Sequence, residues 1–238
     1  MTYSNQRTRI LQGVTAAAVI LFAIALYLDL FWVGPEREQG EVQRIFYVHL
    51  GSFLGAFVVF TATVVAGIAY LRTRDPKWDT FGLANVEIGL GFSAITIATG
   101  SVWARPIWNT WWTWDPRLTS VTIMWLAYAA YLMLRSGIED PERRRRFAAV
   151  YGIIAFASVL FTVIIIRVRP DTIHPVVAGP TQADPSGGFS VEGRIRTTLF
   201  FNLFTFAVIT VVLVWHRIRL ENLSERVMRR KLHVMSEL

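Results

Sequence analysis

Residues 46–71 read FYVHLGSFLGAFVVFTATVVAGIAYL, a run with no Asp, Glu, Lys or Arg and a single histidine. Coiled as an α-helix it is about 39 Å long, more than the roughly 30 Å of a bilayer's hydrocarbon layer. An amphipathic helix of a soluble core carries a charged face. This run has none, so it reads as a membrane span. Five more blocks of the same kind accompany it, at about 10–33, 81–103, 118–134, 147–166 and 199–215. Across the 238 residues, 53% are hydrophobic and 17% charged, about three apolar residues for each charged one, which a water-facing surface does not tolerate. The expected fold is therefore all-α: a polytopic helical bundle with six transmembrane helices, residues 1–238 forming one membrane domain. The first block follows Arg7 and Arg9, yet its apolar run exceeds a signal peptide's core and no small-residue cleavage site follows, so it reads as a retained helix.

Orientation follows from where the basic residues fall between the blocks. One side collects 16 Lys and Arg, including Arg7, Arg72, Arg135, the run Arg143 to Arg146, and Arg217 onward; the other collects 8. Both termini are expected in the cytoplasm, with outer loops at about 34–45, 104–117 and 167–198. The last is the longest connection and is rich in Pro and Gly, which makes the outer face the expected seat of function. A formal charge of +7 would suggest nucleic acid only if it formed one face of a soluble fold, whereas here it is spread between spans. The basic tail from Arg217 reads as a short amphipathic helix or an unstructured end beside anionic membrane lipid. Cysteine is absent, which excludes disulfides, thiolate metal ligands and a cysteine nucleophile.

Five of the nine tryptophans lie in WARPIWNTWWTWDPRLTS: Trp103, Trp108, Trp111, Trp112 and Trp114. An interfacial aromatic belt would spread its rings over all helix ends. Five indoles in one outer loop, with Pro106 and Pro116 expected to break continuous helix there, make a broad shelf suited to a large, flat, apolar ligand. Two of the four histidines, His49 in RIFYVHLG and His174 in RVRPDTIHPVV, fall on the same outer face; His216 and His233 fall on the other. Singly, each outer histidine reads more often as a hydrogen-bonded structural residue. As a pair beside an aromatic shelf they point to a bis-histidine haem iron, for which neutral imidazole is a good axial ligand. Arg44, Arg105, Arg117, Arg167 and Arg169 cluster at the same helix ends, where an arginine fork suits a porphyrin propionate as well as a lipid headgroup or a salt bridge to Asp115 or Asp171. Glu87, well inside the third span, reads as a structural hydrogen bond to Asn85 or a neighbouring helix, because no second intramembrane acid or lysine accompanies it as a relay would require.

The segment TGSVWARPIWNTWWTWDPRLTS resembles the tryptophan-rich WWD signature of the haem-handling proteins of cytochrome c maturation, and RIFYVHLG resembles the start of their second helix. Six spans and one such loop between the third and fourth resemble the CcmC branch, the haem exporter protein C family. The similarity extends from about Arg44 to His174. Two positions depart from the family's usual pattern: Gly51-Ser52 where a proline follows the first histidine, and Pro175 where a glutamine follows the second. The resemblance implies a protein that holds haem b on the outer face of the cytoplasmic (inner) membrane and passes it to a periplasmic-side haem chaperone, in company with ABC-type transporter subunits. It places the axial ligands on His49 and His174 and the haem platform on Trp108, Trp111, Trp112, Trp114 and Asp115; Arg105 and Arg117 join the expected cofactor-binding residues from their own place at the outer helix ends.

Three other functions fit less of the sequence. A haem lyase or synthetase that joins haem to apocytochrome c would bring more spans and further histidines. A secondary transporter would show paired broken helices with polar residues at mid-membrane. A purely structural subunit would leave the shelf and the histidine pair without a purpose. No catalytic dyad, nucleophile or nucleotide motif is visible, so the chain is not expected to be an enzyme.

Overall fold

The computed structural model describes residues 2–169, 172–174 and 193–236. Helix α1 (Thr2–Tyr27) runs on into a π-helical turn, Leu28–Trp32, and a 3-10 turn, Glu41–Arg44, leads into α2 (Ile45–Thr73). Then follow α3 (Pro76–Trp108), α4 (Pro116–Ser136), α5 (Pro141–Val168) and α6 (Gly193–Ser236). All six are long and apolar enough to cross a membrane. Most of the expected outer loop at 167–198, including Asp171 and Pro175, lies outside the described residues.

Three of the helices begin with the same two letters. Asp75-Pro76, Asp115-Pro116 and Asp140-Pro141 each put an aspartate at the N-cap and a proline at the first helical position. The carboxylates accept from the N–H groups of Lys77, Leu118 and Arg143 at 3.0, 2.9 and 2.7 Å. Such a cap satisfies an otherwise orphaned donor, while proline gives up an N–H that would have no partner there. The α2 helix closes on Arg74 and α3 on Asn109, both in the left-handed region at φ 58° and 54°.

At the centre stands α2, packed against α3, α5 and α6, while α1 lies on the outside and packs chiefly against α6. Close approach comes from rings seated on glycines. A Cβ on Gly55 would come within 2.9 Å of the Phe92 ring, and one on Gly100 within 3.0 Å of the His49 ring. Phe60 lies over Gly89 and stacks on Tyr128, centroid to centroid at 3.7 Å. In a bilayer, where lipid is as apolar as leucine, this fit of ring into backbone is what drives helices together.

The basic end of the bundle is tied by ion pairs. Arg135 of α4 donates from Nη2 to Asp79 of α3 at 2.9 Å, and Arg145 of α5 approaches the same carboxylate at 3.8 Å. Glu87 is held by Arg217 of α6, which also pairs with Glu221. The neighbouring-helix partner expected for Glu87 is thus an arginine, and Asn85 instead donates to the carbonyl of Phe81.

Two boundaries differ from the sequence expectation. The stretch 104–117, expected as loop, is helical through Trp108, with Pro106 inside α3. A proline three residues from the helix end removes only one late hydrogen bond, which the interface can replace. The tail from Arg217, expected as a separate short helix or unstructured end, continues α6 without interruption to Ser236.

Candidate functional site

At the end opposite the ion pairs, α2, α3, α4 and α5 part to leave a cavity of about 290 Å³, at the lower bound of the roughly 300–1,000 Å³ of small-molecule sites. Its walls are Phe46, His49 and Phe53 of α2, Gly100, Trp103 and Trp108 of α3, and Trp111 and Trp112 of the following loop. Arg117 of α4 and Arg167 of α5 complete it, with Ile173 and His174 from beyond α5.

The two outer histidines meet in this cavity. Their ring centroids are 6.2 Å apart with the planes inclined at 36°. His49 is held on three sides: Gly100 lies beneath its ring, Trp103 meets it edge-on at 5.9 Å, and its Nδ1 is 3.1 Å from the Thr99 hydroxyl. That hydroxyl already donates its one proton to the Ile95 carbonyl, at 2.7 Å. It therefore accepts from Nδ1–H, which leaves the lone pair of His49 on Nε2, the atom free to ligate a metal. Thr99→Val, of the same shape but without the acceptor, is expected to lower ligand affinity at His49 by about ten- to a hundredfold, with Thr99→Ser close to wild type. Equal binding in Thr99→Val, measured by titrating the purified protein with the iron porphyrin expected of the histidine pair, would remove the hydroxyl from the site.

His174 is placed by a carboxylate. Asp115 Oδ2 accepts from the hydroxyl of Thr172 at 2.9 Å and the N–H of Ile173 at 3.3 Å, and also from Thr113 of the tryptophan loop at 3.1 Å. The Thr172 hydroxyl oxygen in turn accepts from the N–H of His174 at 3.2 Å. With Oδ1 capping α4, one side chain joins the tryptophan loop, a helix start and the histidine segment. Burial alone would raise the Asp115 carboxyl, but the hydrogen bonds from Leu118, Thr172, Thr113 and Ile173 outweigh it and hold it below the usual carboxylate range.

The expected site residues are thus sorted by position. Trp108, Trp111, Trp112, Arg117, His49 and His174 line the cavity. Trp114 stands outside it, 73% exposed, its ring against Trp112. Arg105 points away, bonded at 2.7 Å to both the carbonyl and the side chain of Asn109. Asp115 is a strut behind the site and lines no wall. Trp103, one of the five indoles of the expected shelf, lines the cavity too, and Phe46 is a lining residue that the sequence did not single out. Trp103 belongs to the same tryptophan cluster, and its indole N–H, bonded to Gln39 at 2.9 Å, turns its face toward His49 and Phe46.

Residues 2–233 match the family described as CcmC, Heme exporter protein C. The chain belongs to the haem exporter protein C family. Among its relatives, a "Heme exporter protein C" of Bradyrhizobium diazoefficiens is 32% identical over 222 residues, 92% of this chain and 81% of the relative. The protein of that name from Escherichia coli K12 is 25% identical over 85% of this chain and 80% of its own. A Marchantia polymorpha protein named "Putative cytochrome c biosynthesis ccmC-like mitochondrial protein" is 37% identical over half of this chain, which spans 53% of that relative. Haem exporter protein C is a multi-pass membrane component of haem handling in cytochrome c biogenesis, not an enzyme.

Proposed function

We propose that the protein holds one haem b in this cavity, with His49 and His174 as axial ligands, and delivers it to a haem chaperone. The observation that carries the reading is the distance between the two rings. Imidazole nitrogens on opposite faces of one metal, each about 2 Å from it, put their ring centres roughly 6.4 Å apart; here they stand at 6.2 Å. The donor set fits as well. His49 offers Nε2, the walls are indole and phenyl faces that suit a porphyrin plane, and Arg117 and Arg167 provide permanent cations for two propionates. Trp111, lining the cavity yet 57% exposed, leaves one edge of the ligand within reach of an acceptor protein.

The test is spectroscopic. Purified in detergent, as isolated and after reduction, the protein should show the low-spin spectrum of two strong axial ligands with one haem per chain. A preparation that takes up no haem on titration would overturn the proposal.

The same reading puts the cavity on the outer face of the cytoplasmic membrane, beside ABC-type transporter subunits of the maturation system. Support comes from the uneven basic residues, 16 against 8, with the cavity at the sparser end. Reporter fusions at Asn109 and at Arg143 should give opposite answers, outside for the first and cytoplasmic for the second. The same side for both would sink the topology.

A further inference from the structure

The first helix changes its winding just before it ends. Its α-helical hydrogen bonding stops at Tyr27, and Leu28–Trp32 form a π-helical turn, a rare device that recurs at functional sites. The wider turn carries Asp29 inward to 3% exposure, while its neighbours Leu30 and Phe31 stay 46% and 74% exposed. Asn202 of α6, 1% exposed, meets it: Nδ2 donates to Asp29 Oδ1 at 2.7 Å and to the Thr198 carbonyl at 3.0 Å.

Two atoms of the pair are then left over. Asp29 Oδ2 and Asn202 Oδ1 are both buried and both without a hydrogen-bond partner. With an ionised carboxylate they are two acceptors, and neither can satisfy the other. With a carboxylic acid, Oδ2 becomes a donor, and the unfilled acceptor on the side chain already bonded to the same carboxyl is the Asn202 amide oxygen. One proton answers both atoms.

The surroundings offer no substitute for that proton. Among the described residues no cation pairs with Asp29. Arg44, from the 3-10 turn, directs Nη1 to the Leu30 carbonyl and Nη2 to Glu41. Tyr47 of α2 exchanges a hydrogen bond with Gln43. On α6, Arg194 lies over the Trp32 ring and donates to the Trp32 carbonyl, and the Thr198 hydroxyl is buried without a partner. An unpaired charge buried at such a place is disfavoured, and the neutral acid is the form that burial favours.

We propose that Asp29 is a proton-binding site: a carboxylic acid whose proton closes a neutral pair with Asn202 and seats the outer end of α1 on α6. Loss of the proton sets an anion against the amide oxygen and loosens α1 at that end. A further polar contact of the seam, Thr15 to His216 at 2.8 Å, stands fourteen residues away along both helices and holds the opposite end. No cavity-lining residue is involved, so the proposal stands apart from haem binding.

The experiment uses the full chain in lipid nanodiscs. Infrared difference spectra across hydrogen–deuterium exchange near neutral pH should contain a protonated-carboxyl carbonyl band that is absent in Asp29→Asn. Thermal unfolding supplies the second readout. Wild type should lose several degrees as pH rises from about 4, where aspartate in the unfolded chain ionises, to about 8. Asp29→Asn, whose amide donates where the O–H did, should match wild type at the acid end and exceed it at the alkaline end. Asp29→Ala, which strands Asn202, should be the least stable at the acid end. A neutral-pH spectrum with no band lost in Asp29→Asn, or an Asp29→Asn variant no more stable than Asp29→Ala, would overturn the proposal.

Discussion

His49→Ala and His174→Ala are each expected to abolish the low-spin haem spectrum, and the double variant to purify with little haem. On the proposed ligation, either change would leave the iron one strong ligand in place of two, with no cysteine in the chain to replace it and, among the described residues, no methionine lining the cavity. Added imidazole should fill the vacancy and restore part of the signal in the single variants. His216→Ala is the control, because that ring lies at the other end of the bundle on Thr15 and should leave the spectrum intact. A double variant that keeps a full complement of haem and the same spectrum would show both ligands to be misassigned.

Nearly as large an effect is expected at Asp115, a residue that touches no wall of the cavity. Asp115→Ala frees Thr172 and Ile173, and with them His174, and should weaken haem retention at least tenfold. It also removes the cap of α4, worth about 1 kcal/mol. Asp115→Asn separates the two effects. An asparagine caps a helix as well as an aspartate does, but its amide group cannot accept from Thr113, Thr172 and Ile173 together. The Asp115→Asn variant should therefore keep the cap's share of the stability and lose the haem. The carboxylate form carries a pH signature whose sign follows from its shift. Since the folded protein holds Asp115 below its ordinary value of 3.8, its contribution is complete above that value and fades as pH falls through the lower folded one. In haem-free protein, the gap in unfolding temperature between wild type and Asp115→Ala should persist at neutral pH and close in strong acid. Haem retention by Asp115→Asn equal to wild type would show that His174 needs no such strut.

The six spans were legible because each announces itself as a long, almost wholly apolar run, and a bilayer leaves such a run only one conformation that satisfies its backbone. The end of α3 was not. Pro106 reads as a helix breaker, but three residues from a terminus it breaks almost nothing. Likewise Glu87 and Arg217 are 130 positions apart, and only the packing of α6 on α3 makes them partners. Of the candidate site, His49, His174 and the tryptophans could be read from residue type and side of the membrane. Which rings face inward depends on helix phase: Trp103 turns in on its bond to Gln39, Trp114 turns out, and no local signal distinguishes them. Asp115 was noticed for its charge, yet its role depends on four donors, two of which, in Thr172 and Ile173, arrive from beyond α5. Nothing in the sequence marks Asp29 as buried, because the π-helical turn that takes it inward is a matter of winding, invisible in a list of letters.

The unbroken length of α6 has a mechanical consequence. Forty-four residues of helix make a rod of about 66 Å, of which only the part up to Trp215 is needed to cross the hydrocarbon. The rod is held at His216 by Thr15 and at Arg217 by Glu87. Beyond Arg217 it overhangs by about 29 Å to Ser236. A bend of about 5° at that point carries the far tip through roughly 2.5 Å. The last span thus extends its tail clear of the hydrocarbon as one continuous helix, without any loop between.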